Sequence, residues 1–226
     1  SGQIEIPNPY FPELSSIFKD NKAHGYVDMR KALAVSSNVY FYEIGGGFQD
    51  QKGIGIRGIE KYTKLFGLGT KTGVNISGEI SGTVPTPEWK AKFFPGDPWR
   101  VGDTYHTSIG QYGFQVTPIQ MVRAIAGVAN EGTLVTPTIF KGKEPKYQEI
   151  EIKKENYIPV KEGMRMSVEE GTAIALNFRH HQLSTARQLR FGAMTMTIWR
   201  PSSFGNCSTF PNCPRSLSTR CSIWAP

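Results

Sequence analysis

"TPIQMVRAIAGVAN", Thr117 to Asn130, is the stretch from which the rest of the chain can be laid out. A threonine that can cap, a proline in the first turn and a glutamine three residues after the threonine together spell a helix start. Ile119, Met121, Val122, Ala124, Ile125 and Val128 then nearly surround the helix, so burial is expected. Just beyond it, "GTLVTPTIF" reads as a strand near Thr133–Ile139. Working back, "GIRGIEKYTKLFGLG" sets Ile59, Tyr62, Leu65 and Phe66 at helical spacing, with Gly67 as the stop. "YVDMRKALAV" reads as a short helix with Asp28 at its start and Met29, Ala32, Leu33 and Val35 on one face. Ser36-Ser37-Asn38 follows, and then "VYFYEIG", stopped by Gly45-Gly46-Gly47. Toward the C-terminus, "KEGMRMSVEEGTA" starts another helix, with Met164, Met166 and Val168 expected inward. Residues 1–25 read as loop because "PNPYFPEL" holds three prolines. "TGVNISGEISGTVPTPEWKAKFFPGDPW" reads as a turn-rich, extended excursion.

The composition is that of a globular chain: 226 residues, 38% hydrophobic and 20% charged, enough for one or two domains. No run of about 18 apolar residues is present, so nothing in the sequence reads as a membrane span. The start at Ser1-Gly2, with no charged-then-apolar leader, is read as a cut inside a larger protein. The net charge of +7 is unevenly placed. Residues 178–226 hold six arginines and no Lys, Asp or Glu, which leaves 20 basic and all 19 acidic residues in 1–177. All three cysteines, Cys207, Cys213 and Cys221, also lie in that tail; a cysteine-free body suits an extracytoplasmic protein. The tail has no lasting period. It is expected to be disordered, or to be translated out of frame, so the chain divides into 1–177 and an anomalous 178–226.

Ser36-x-Asn38 puts a hydroxyl and a carboxamide on one short turn, the equipment for relaying a proton to a departing amine and for holding a peptide group. Taken alone, such a tripeptide is more often a turn or helix cap. Four long segments surround it in order: "GYVDMRKALAVSSNVYFYEIGGG", "FGLGTKTGVNISGEISGTVPTPEWK", "GDTYHTSIGQYGFQVTPIQMVRAIAGVANEGTLVTP" and "EGMRMSVEEGTA". Together, over about residues 24–177, they resemble the transpeptidase domain of class B penicillin-binding proteins, of the penicillin-binding-protein-2 (elongation) type.

The resemblance implies an α/β (α+β) penicillin-binding/β-lactamase-like fold, an antiparallel sheet flanked by helices plus an all-helical lobe, here incomplete. It implies a serine acyl-enzyme D,D-transpeptidase that cross-links peptidoglycan stem peptides, is acylated by β-lactams and needs no cofactor. It also implies an enzyme on the extracytoplasmic face of the cytoplasmic membrane, anchored outside this chain and working with a shape or elongation glycosyltransferase. Ser36 and Asn38 then become the catalytic residues, the one for proton transfer and the other for the substrate amide.

The family's other two motifs, S-x-x-K and K-T-G, have lookalikes. "SIFK", Ser16 to Lys19, has the letters of the first, but "DNKAHGY" follows without the period of a buried helix. Ser16 is expected to be an ordinary loop serine, with the nucleophile before Ser1. "KTG", Lys71 to Gly73, precedes "VNISGE" and matches a family loop rather than the catalytic strand, which is expected after "EGTA". With those motifs missing, the chain is expected to be inactive as written. Two other readings stay open. One is a compact D,D-carboxypeptidase or β-lactamase-like hydrolase using Ser16 and Lys19. The other is a non-enzymatic module that grips anions through its arginine tail. His24, His106, His180 and His181 have no metal-ligand spacing, the cysteines fit no zinc pattern, and the tail contains no nucleic-acid-binding module.

Overall fold

The computed structural model describes residues 2–8, 11 and 13–179. The expectations for 178–226 fall outside the described residues, except for the backbone of 178 and 179.

Residues 1–25 are not all loop. Strands β1 (Gln3–Pro7) and β2 (Ser15–Lys19) form an antiparallel hairpin with Ile4 opposite Phe18 and Ile6 opposite Ser16. Pro7 is the last residue of β1, where a proline is tolerated, and Pro9 and Pro12 fall outside the described residues. The hairpin delivers Ile4 (1% exposed) and Phe18 into the main apolar cluster. Phe18 meets the edge of Tyr105 at 4.9 Å and lies 5.9 Å from Tyr42.

Tyr42 comes from α2 (Asn38–Gly46) and Tyr105 from α5 (Val101–Ser108). The two helices can approach closely because α2 ends in glycines: a Cβ on Gly46 would stand 2.4 Å from the Tyr105 ring, and one on Gly45 2.4 Å from Ser108. Before α2 runs α1 (Met29–Val35), started as read by Asp28, whose carboxylate accepts from Lys31 N at 2.8 Å. After it, α3 (Gly55–Leu65) buries Ile59 but leaves Tyr62 exposed, so the apolar stripe read there is narrower than its letters.

The excursion after Gly73 contains α4 (Pro87–Phe93), which was read as extended. Its start is the same threonine–proline device that marked the 117–130 helix: Thr86 accepts from Trp89 N and Pro87 opens the first turn. Lys90 of α4 is buried and paired with Asp103 at 2.7 Å and Asp97 at 3.0 Å, which ties α4 to α5.

Helix α6 (Pro118–Ala129) has the expected capping box between Thr117 and Gln120. It is not buried all round. Its inward face is Gln120, Arg123, Ala124 and Gly127, while Met121, Val122 and Ile125 are exposed. Polar residues take the inward face because backbone carbonyls there need donors: Gln120 Nε2 reaches Thr70 O at 2.5 Å and Ser81 O at 2.8 Å.

Strand β3 (Thr133–Val135) is shorter than the 133–139 reading, ending before Pro137, and pairs antiparallel with β4 (Tyr147–Glu149). The antiparallel sheet expected of the family thus appears, among the described residues, as two separate two-stranded ribbons. Helix α7 (Tyr157–Glu169) begins earlier than "KEGMRM", and Met164 is on its exposed side. It lies against α1 with Gly163 at the crossing, where a Cβ would come within 2.9 Å of Arg30 O and of Leu33.

Candidate active site

Ser36, Ser37 and Asn38 form the corner between α1 and α2. Ser36 closes α1 in the left-handed conformation, φ 58° and ψ 49°, its hydroxyl-bearing side chain exposed. That conformation costs a non-glycine residue about 1 kcal/mol or more and persists only where the surroundings enforce it. Ser37 is buried and caps α2, accepting from Tyr40 N at 3.3 Å. Asn38 is the first residue of α2 and half-buried, with its amide nitrogen 3.4 Å from Lys19 O. The corner is therefore a helix cap and, at once, a turn that carries a hydroxyl and a carboxamide two residues apart.

The group that fixes this corner is Asp20, which sequence reading passed over. Its carboxylate accepts from Ser37 Oγ at 2.6 Å, Asn38 N at 2.9 Å, Val39 N at 3.3 Å and Asn21 N at 2.8 Å. Burial pushes the Asp20 carboxyl up, but the four hydrogen bonds outweigh it and hold the group below the usual carboxylate range. His24 Nε2 lies 3.9 Å from Asp20 and 2.6 Å from Asn21 Oδ1, closing the loop beneath the turn. Nothing in "KDNKAHGY" signals the role, because the three partners of Asp20 in the corner are 17 to 19 residues away in the chain.

From the other side, the "EGTA" turn after α7 packs onto the same corner. Thr172 N donates to Ala34 O at 3.0 Å, and a Cβ on Gly171 would be only 2.1 Å from that oxygen. The loop Gly110–Gly113 follows α5, which packs on α2, so two of the other three segments singled out in the sequence lie against the α1–α2 segment. The remaining one does not contribute to the corner. Lys71-Thr72-Gly73 is a loop, as read, wrapped on Glu79: Thr72 N and Oγ1 donate to Glu79 at 2.6 and 2.5 Å, and Gly73 N at 3.2 Å. These bonds hold Glu79 below the usual carboxylate range.

The Ser16/Lys19 hydrolase reading has no geometric support. Both residues are on β2, three apart, so their side chains leave opposite faces of the strand about 10 Å apart. The expected hydrogen bonds from Ser16 to Lys19 and Ser36 are absent among the described residues. No cluster of three or more His, Cys, Asp or Glu side chains suited to a metal ion is gathered among the described residues.

Comparison with known proteins adds a family to this geometry. Residues 7–184 match the family described as the penicillin binding protein transpeptidase domain. The chain is 37% identical over 134 residues to peptidoglycan D,D-transpeptidase MrdA of Acinetobacter baumannii, covering 58% of this chain and 19% of that protein. It is 36% identical over 135 residues to the MrdA of Haemophilus influenzae, covering 59% of this chain and 20% of that protein. The chain thus spans about a fifth of the length of these relatives. Among solved structures, PBP2 of Helicobacter pylori, in complex with MreC, superposes with a TM-score of 0.60 at 32% identity, covering 74% of this chain and 31% of that one. PBP2 of Pseudomonas aeruginosa, in complex with WCK 5153, gives 0.64 at 27% identity, over 77% and 38%.

Proposed function

The chain belongs to the penicillin-binding protein transpeptidase family, and from that premise we propose that it carries one wall of a peptidoglycan D,D-transpeptidase site, built on the Ser36–Asn38 corner. In the reaction, a serine oxygen attacks the carbonyl of a D-Ala–D-Ala stem peptide. The peptide C–N bond breaks, the terminal D-Ala leaves with a proton, and a neighbouring stem-peptide amine then takes the acyl group from the serine ester. Ser36 Oγ relays the proton to the leaving amine, and the Asn38 carboxamide holds the substrate's peptide group. The observation that carries this reading is the exposed Ser36 in a strained left-handed turn, braced by Asp20 on one side and the Gly171–Thr172 turn on the other.

We infer that the nucleophile and its lysine lie outside the described residues; the reading is supported by the lack of any serine–lysine hydrogen bond among those residues and by the divergence of Ser16 and Lys19 on β2. We therefore propose residues 1–177 as a partial transpeptidase domain that does not form the acyl-enzyme by itself, with the family match running on to residue 184. Among the described residues, no helix is long and apolar enough to cross a membrane. Placement on the extracytoplasmic face, through an anchor outside this chain, rests on kinship with the MrdA proteins. Partnership with a shape protein and a polymerase rests on the complex of H. pylori PBP2 with MreC and on a peptidoglycan synthase complex described as coordinating polymerization and crosslinking.

Labelling with a fluorescent penicillin tests the assignment. The folded chain is expected to give no adduct that survives denaturation. A stable adduct mapping to Ser16 would restore the hydrolase reading and end this one.

A further inference from the structure

Away from the Ser36 corner, a cavity of about 400 Å³ opens between the Thr70–Gly73 loop, α6 and the β3–β4 ribbon. Four cations line it, Lys71, Arg123, Lys143 and Lys146, against one carboxylate, Glu144. Arg123 is the unusual member. It is 9% exposed, so nine-tenths buried, yet no ion pair to it exists among the described residues. Its Nε donates to Val135 O at 3.1 Å and its Nη2 to Gln148 Oε1 at 3.4 Å, both neutral acceptors. A guanidinium has five N–H donors, so most of its capacity is unused by these bonds. Glu79, the nearby acid that favours its charge, already spends both oxygens on Thr72 and Gly73. Gly67 makes room for the group: a Cβ there would sit 2.7 Å from Nη1. A buried cation with no ion pair in contact is costly, and even with Glu79 counted beside Glu144 the four cations leave a surplus that asks for more than one negative charge.

We propose that this cavity binds a phosphate-class oxyanion, with the Arg123 guanidinium as its floor and Lys71, Lys143 and Lys146 closing over it. Arg123 supplies a planar fork fixed by Val135 and Gln148, and the lysines supply mobile point charges, the usual division of labour at phosphate sites. A carboxylate would neutralise only one of the cations. The site shares no residue with the Ser36 corner and is independent of the acyl-transfer reading.

The test is calorimetric titration of the full chain with sodium pyrophosphate at about 50 mM salt, where screening is modest. Binding is expected, and it should weaken about tenfold or more when Lys71, Lys143 and Lys146 are all changed to Gln, a variant that leaves the buried fork and the fold in place. Arg123→Lys should weaken it severalfold by removing the fork; if that variant unfolds, the triple-lysine variant decides alone. Arg179→Gln, Arg187→Gln and Arg190→Gln together should leave binding unchanged. No binding, binding equally strong to acetate, or binding retained by the triple-lysine variant and lost with the tail arginines would overturn the site. Flotation with phosphatidylglycerol vesicles, and phosphatidylcholine as control, identifies the source. Lysine-dependent flotation assigns a lipid headgroup; pyrophosphate binding without flotation assigns a soluble or polymer-borne phosphate.

Discussion

Replacing Asp20 by alanine is the sharpest structural test, because one side chain ties together Ser37, Asn38 and Val39 of the Ser36 corner. The Asp20 side chain is 3% exposed and accepts four hydrogen bonds, two of them from the first turn of α2. Bonds to a charged acceptor are worth roughly 1.5–3 kcal/mol each, but these four share one carboxylate whose desolvation opposes them. A helix cap alone is worth about 0.5–2 kcal/mol, and the variant also strands the buried Ser37 hydroxyl. We expect Asp20→Ala to cost about 3 kcal/mol, a drop of about 1–2 M in the urea midpoint for a unit of this size. The pH dependence follows from the direction of the shift. The folded Asp20 carboxyl is held below its unfolded value near ~3.9, so its contribution is complete above that value and is lost as pH falls through the folded one. The gap between wild type and Asp20→Ala should therefore be constant from about pH 7 to 5 and shrink below about pH 4. A loss under about 0.5 kcal/mol, the range of an ordinary surface change, or a gap that persists undiminished into acid, would show that Asp20 does not brace the corner.

Lys90→Ala should cost about 3 kcal/mol or more, because it leaves Asp103 nearly buried without its cation. The double variant with Asp103→Asn should lose less than the two singles combined, read in a urea double-mutant cycle. Burial pushes the Lys90 ammonium down, but its bonds to Asp103, Asp97 and Tyr112 outweigh this and raise it above an ordinary lysine. A raised value keeps its contribution complete below the unfolded lysine value and loses it only as pH rises through the folded one, so the cost should not vary between about pH 5 and 9. Gly171→Ala should part the α7 turn from α1, since its Cβ would overlap Ala34 O; amide exchange at Thr172 should accelerate while Lys90-region amides stay protected.

What could be read from the sequence was what local chemistry writes down. The α6 start was legible because a cap, a proline and a glutamine act within four residues, and the same device at Thr86-Pro87 went unread only because its surroundings were rich in turns. The β1–β2 hairpin was obscured by the three prolines of "PNPYFPEL", although Ile4 and Ile6 alternate with polar neighbours. Helix α6 was read as buried by counting apolar letters, whereas its inward face is chosen by Gln120 and Arg123, which answer backbone carbonyls from distant segments. The Ser36–Asn38 corner was visible as letters. Its brace, Asp20, was not, because a cap supplied across a loop leaves no local pattern.

In the proposed function the Ser36–Asn38 corner faces substrate. The most direct measurement is a ¹⁵N-edited NMR titration of the full chain with an N-acylated D-Ala–D-Ala dipeptide. The prediction is saturable, reversible shifts at Ser36 and at the Asn38 side-chain amide, abolished by Asn38→Ala and accompanied by no covalent adduct. Shifts that bypass the corner, or that survive Asn38→Ala unchanged, would contradict it.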